Sequence, residues 1–229
     1  MRLPYQFVRA ILKPLEQIYI GVTNMHVPHR MKMKNQEDIT KFISTYSFGL
    51  LVSPSLTGTH LPFVFNPHEG ESGVLYGHIA KANPHWKELE NQNVLVVFTG
   101  PHAYISPTWY ESTHAVPTWN YTAVHCYGVT KFLNCEETKL ALEELVNKYE
   151  PGLMKNTELM PEEYLSKQQQ AIIGFKIIIN EIHAKEKLGQ HKNQGDQKGV
   201  FTALQASKIE DNKELANYMK VRSIGTGES

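Results

Sequence analysis

His78-Ile79-Ala80-Lys81-Ala82-Asn83-Pro84 puts an imidazole, an ammonium and a side-chain amide into one short run, after strand-like Val74–Gly77 and before a helix start. A lysine at a strand end beside a first helical turn is placed to hold an anion, because the ammonium and the free helix N–H groups converge on the same oxygens. The same residues also suit a solvated surface turn. On the preceding strand, Thr59-His60-Leu61-Pro62 reads either as ligand lining or as a barrel rim, since Pro62 removes a ladder N–H and marks an edge or bulge. Gly100-Pro101-His102-Ala103-Tyr104-Ile105-Ser106-Pro107-Thr108-Trp109-Tyr110 and Val116-Pro117-Thr118-Trp119-Asn120-Tyr121 concentrate polar-tipped rings. Trp119 beside Asn120 offers a stacking face and an amide that reads a heteroaromatic edge; such aromatic residues equally suit a dimer interface. Lys187, Gln190 and Lys192 form a charged loop that is equally readable as ligand-binding or as plain surface.

Other chemistries are missing. There is no P-loop, no G-x-S-x-G nucleophile elbow and no H-E-x-x-H helix. Eleven histidines invite a metal, but they lack the short paired spacings of a closed zinc site. His125 and Cys126 are neighbours on a strand and point to opposite faces, which leaves Cys126 as a small core residue. No catalytic residue and no metal ligand is assigned.

The elements that must position these residues follow from punctuation and period. Asn35, with Asp38 three residues on, reads as a helix cap before Ile39, Phe42, Ile43 and Tyr46. Strand-like runs occupy Phe48–Ser53, His60–Phe65, Val74–Ile79, Val94–Thr99, Ala103–Ser106 and Thr122–Phe132, with a short helix from Pro84 between two of them. Asn134-Cys135-Glu136-Glu137 is a second cap, and Pro151-Gly152 stops that helix. Another helix follows Pro161, then Ile173, Phe175, Ile177 and Ile179 alternate as a strand. Lys185–Lys198 reads as a loop, Asp211 as the cap of a last helix, and the residues after Arg222 as disordered. Nothing marks a domain boundary, so the chain reads as one α+β domain built on an antiparallel barrel with flanking helices.

With 23 basic and 23 acidic residues the net charge is zero, which argues against strong nonspecific nucleic-acid binding. Two cysteines make no disulfide framework and fit a reducing cytoplasm. No apolar run approaches a membrane span.

The stretch Leu75–Gly128 closely resembles the PaiB family of FMN-binding split-barrel proteins, known as negative transcriptional regulators, and the resemblance extends over roughly Met25–Val221. Gly77–Pro84 carries that family's GHxA–basic–ANP motif complete. Gly100–Tyr110 matches GPHAYISPxWY, and Val116–Tyr121 matches VPTWNY. Lys187–Lys192 follows KLSQN–basic with two departures, Gly189 for Ser and His191 for Asn. Met25-His26-Val27-Pro28 resembles the family's usual start, so 1–24 is expected to be an extension, 25–222 the domain and 223–229 a disordered tail. The resemblance implies an FMN-binding split β-barrel acting as a homodimer, with each flavin site lined by both chains. It places the phosphate at Lys81, with His78 and Asn83. It runs Thr59, His60 and Leu61 along the flavin, and adds Trp119, Asn120, Lys187 and Gln190. Two other functions share this fold: an FMN-dependent oxidoreductase of the pyridoxamine-phosphate-oxidase type, and a haem-binding or haem-degrading protein with His78 or His102 as ligand. DNA stays an open partner, but direct binding has no physical support in the sequence, which has no convincing helix-turn-helix and zero net charge.

Overall fold

Alternating apolar residues build most of this chain into strands. A computed structural model of the protein describes residues 24–228. Helix α1 (Gln36–Thr45) leads into β1 (Phe48–Val52), β2 (Gly58–Pro62), β3 (Val64–Asn66) and β4 (Val74–Ala80). Then follow β5 (Asn93–Ile105), β6 (Thr118–Phe132), α2 (Cys135–Tyr149), α3 (Glu162–Gln169), β7 (Ile172–Lys187), α4 (Gln194–Ala206) and α5 (Glu210–Arg222). The strands form one seven-stranded sheet in the order β2-β1-β5-β6-β7-β4-β3, with every pairing antiparallel.

The two edge strands, β2 and β3, are consecutive in sequence and separated by Phe63 alone. A sheet whose opposite edges are joined by one residue has to curl until those edges meet, so the chain itself closes the barrel. Phe63 lies fully inside, and its N–H donates to the Ser47 carbonyl at 2.9 Å. Its ring meets Phe98 edge-on at 5.7 Å between centroids. Around it the barrel interior holds Leu51, Leu75, Val96, Cys126 and Ile177, all out of contact with solvent. Burial pushes the Cys126 thiol far up, as an inert core cysteine requires. A second core of Ile105, Leu188, Leu204, Leu215 and Met219 lies beneath α4 and α5.

Several expectations are corrected in detail. The expected strand His60–Phe65 is two strands broken at Phe63. The expected strands Val94–Thr99 and Ala103–Ser106 are one strand, β5, whose register shifts between Thr99 and His102. Gly100-Pro101 forms that bulge instead of a turn, and a bulge bends a strand without ending it. Lys185–Lys198 is not a loop: it holds the end of β7, a turn, and the start of α4. Asn35 precedes α1 without a side-chain capping bond. Ile209, not Asp211, stands at the cap of α5. Residues 223–228 are not an open tail, for Thr226 is buried and Ile224 leans on the second core. The expected capping box of α2 is present, with Asn134 and Glu137 exchanging backbone-to-side-chain bonds of 2.9 Å. The expected extension 1–24 lies outside the described residues except for Asn24.

Candidate functional site

At the end of β4 the chain turns under tight backbone control. Lys81 N–H donates to the Ala171 carbonyl at 2.8 Å, stitching the turn to the start of β7. The Trp86 indole donates to the Lys81 carbonyl at 3.0 Å. Asn83 caps the short 3-10 helix Pro84–Glu88 by accepting from His85 N–H at 3.1 Å. The exposed Lys81 ammonium, in contrast, has no hydrogen-bond or ion-pair partner among the described residues. It borders a recess of about 430 Å³ whose walls include Asn134, Gln169, Gln170 and Ile173. A free cation on a fixed backbone beside a recess is a competent anion seat.

Asn83 turns the other way. Its amide donates to Thr59 Oγ1 at 3.3 Å, and His85 Nδ1 lies 2.7 Å from the same oxygen. His85 is 2% exposed, with Nε2 buried and unpaired. Thr59, Asn83 and His85 thus form one polar knot where β2 meets the end of β4. His85 is the member that sequence reasoning missed. It follows the recognisable Asn83-Pro84 helix start, but its burial had no signal in residue type.

The other expected site residues do not all join this group. Leu61 is a core residue. His60, next to it, faces outward and stacks on Phe48 at 5.9 Å, with Phe48 itself 64% exposed. His78 faces away from the barrel interior, because Leu75, Gly77 and Ile79 take the inward positions of β4. It lies under α2, beside Thr138, Leu142 and Leu145. Of the three residues expected at the phosphate end, His78 thus lies under α2 and Asn83 bonds Thr59, while the Lys81 ammonium borders the recess.

Trp119, Asn120, Lys187 and Gln190 gather elsewhere. Lys187 donates to Thr118 Oγ1 at 2.6 Å and to the Trp119 carbonyl at 2.8 Å. Burial lowers its ammonium below the ordinary lysine range. Trp119 is 48% exposed and forms an aromatic shelf with His102 at 5.8 Å and Tyr104 at 6.3 Å. Asn120 is buried, and its side-chain amide has no hydrogen bond among the described residues. Gln190 folds back on its own turn, accepting from Leu188 N–H at 2.8 Å and donating to the Glu186 carbonyl. Ala80 pairs with Ile172 at the start of β7, whereas Tyr121 pairs with Lys187 at its end. The Lys81 turn and the Lys187 shelf therefore lie beside opposite ends of β7.

Burial holds the imidazoles of His78, His85 and His125 below the ordinary histidine value of 6.5. Unfolding frees them to bind protons at that ordinary value, so the unfolded state gains protons first as pH falls. Their contribution is full above pH 6.5 and is lost as pH falls below it. Urea unfolding is expected to give lower stability near pH 5.5 than near pH 7.5, a window above the carboxylate range. Equal midpoints at the two pH values would contradict the burial of these rings.

Residues 25–181 match the family model described as "Putative FMN-binding domain". The chain is 38% identical over 205 residues to the protease synthase and sporulation protein PAI 2 of Bacillus subtilis, across 86% of this chain and 97% of that protein. An uncharacterized protein of Emericella nidulans is 33% identical over 208 residues, across 74% of this chain and 83% of its own. Among solved structures, the flavocytochrome Anf3 from Azotobacter vinelandii superposes with a TM-score of 0.56 at 18% identity, covering 70% of this chain and 72% of that one. The FAD and heme binding protein from Mycobacterium smegmatis superposes with a TM-score of 0.51 at 12% identity, covering 69% and 73% respectively. At such identities these two structures bear on the fold alone. No helix among the described residues is long and apolar enough to cross a membrane.

Proposed function

The chain belongs to the PaiB family of FMN-binding split-barrel proteins, and on that premise we propose that it binds FMN as a homodimer and acts in regulation through the bound flavin. The observation that carries this reading is the partnerless Lys81 ammonium on its stitched turn, a seat for the flavin phosphate. The separation of the Lys81 turn from the Trp119–Lys187 shelf supports the second copy. In the proposed dimer, symmetry would set one protomer's turn against the other's shelf. Half-exposed Leu50, Val52, Leu95, Val97 and Tyr127 share the outer sheet face with exposed Phe48, and an apolar face of this kind fits a subunit interface. In this arrangement Lys81 holds the phosphate, and Trp119 of the other copy contributes a ring face.

Lys81→Ala tests the reading. Losing one charge-assisted contact of roughly 1.5–3 kcal/mol should weaken FMN binding about ten- to a hundredfold. Riboflavin, which lacks the phosphate, should bind parent and variant alike. Titrations of both ligands, run with sedimentation at micromolar protein, read the affinity and the dimer together. Equal FMN affinity in the two proteins removes the phosphate seat, and a monomer at that concentration removes the two-chain site. An intense Soret band on adding haemin, without flavin binding, would favour the haem-binding alternative.

A further inference from the structure

The segment from Glu150 to Gln170 runs from α2 through α3 to the start of β7, and not one of its residues is buried. Yet Met154, Met160 and Leu165 of this segment line a cavity of about 570 Å³ together with Leu142 and Val146 of α2 and Ile172 of β7. All six are only half-buried. A folded chain gains by removing such side chains from water, and here its own neighbours do not do so. His78, on β4, also lines the cavity. It is half-buried and has no hydrogen-bond partner among the described residues. Burial disfavours the charged form of its ring, and a neutral imidazole can both donate and accept.

We infer that this cavity, roofed by residues 150–170, binds a neutral, predominantly apolar small molecule whose single hydrogen-bonding group is met by His78. Its volume falls within the range of about 300–1,000 Å³ usual for small-molecule sites, and its concave shape under a roof of the same chain suits a small molecule, not a protein surface. The charged residues in its walls are Lys139, Glu143 and Glu162. With two carboxylates against one ammonium, the walls disfavour an anion. Two methionine thioethers in the lining adapt to different ring shapes. The cavity shares Ser166, Gln169 and Ile172 with the recess beside Lys81, so its occupant lies next to that recess. The inference rests on the cavity alone and not on the flavin reading.

The test uses the full chain and N-phenyl-1-naphthylamine, a neutral two-part aromatic probe with one N–H. Its fluorescence should rise saturably on binding. Leu142→Trp and Met160→Trp fill the cavity from two walls, and each should weaken binding at least about tenfold. His78→Leu keeps the apolar wall but removes the hydrogen bond, and should weaken binding roughly fivefold. The same aromatic frame bearing a sulfonate should bind more weakly than the neutral probe. On the parent protein, the probe should also slow limited proteolysis within residues 150–170, a readout that holds even if a variant misfolds. Unsaturable fluorescence, parent-like affinity in both tryptophan variants, or unchanged proteolysis would overturn the inference. So would full displacement of the probe by FMN, because the cavity would then be the flavin's own.

Discussion

Arg222→Met should destabilise the protein by about 3–5 kcal/mol, the usual cost of leaving one partner of a buried ion pair alone. Glu186 of β7 is 3% exposed. Arg222 of α5 grips both of its oxygens, at 2.9 Å through Nη2 and 3.1 Å through Nε. Tyr218 donates a third bond at 3.0 Å. Burial, and then the Glu186 charge, push the Tyr218 phenol far up, so it stays a donor. Arg222 also pairs with Asp38 of α1, which makes it the rivet between the first helix, the sheet and the last helix. Because the guanidinium keeps 21% of its side-chain exposure, the lower half of the range is expected. The double variant Glu186→Met with Arg222→Met should recover part of the loss, since it removes the buried Glu186 charge and leaves only the 22%-exposed Asp38 carboxylate without its partner. Urea unfolding of both variants decides it. A single variant within 1 kcal/mol of the parent would mean that water reaches Glu186.

Gly128→Val is the second large loss, about 3 kcal/mol, at the upper end of what overpacking usually costs. Gly128 sits where β6 slips register against β7, between Tyr127 and Gly128. A Cβ there would lie 2.3 Å from the Ile178 carbonyl oxygen and 2.8 Å from Ile177 Cγ2. The first obstacle is backbone in the middle of the sheet, which cannot swing aside as a side chain does. The bulge must straighten or the pairing of the two longest strands must part. A fall of several degrees in melting temperature is the expected reading. An unchanged melting curve would show that the β6–β7 pairing relaxes at no cost.

How legible all this was depends on where the governing physics lies. Ile173, Phe175, Ile177 and Ile179 revealed β7 because alternation is local, and Asn134 with Glu137 revealed α2 because a capping box is local too. Gly100-Pro101 looked like a strand end. Only the partner strand, which continues past it, shows a bulge. Helix α4 escaped because its buried Val200, Phe201 and Leu204 come late, after a polar, glycine-bearing start. Gly199 is required there by a contact far away in sequence: a Cβ would stand 2.2 Å from the Trp109 carbonyl oxygen. For the site, the motif around Lys81 identified a basic turn, but which way His78 and Asn83 point depends on strand pleat and on the Thr59 partner. Glu186 reads as an ordinary surface acid in the sequence, and only the arrival of α5 buries it.

The Phe63 link between the two sheet edges carries one more consequence, for how the protein tolerates change in length. Leu61, Phe63 and Phe65 are all buried, so a single two-residue beat runs unbroken through the link, from one side of the barrel seam to the other. Inserting one residue there shifts that beat by half a period, turning either the β2 or the β3 side chains inside out. Inserting two keeps the beat but slackens the one-residue stitch across the seam. At this seam, length counts by parity, so a deletion or insertion at residue 63 acts on both edges of the barrel at once.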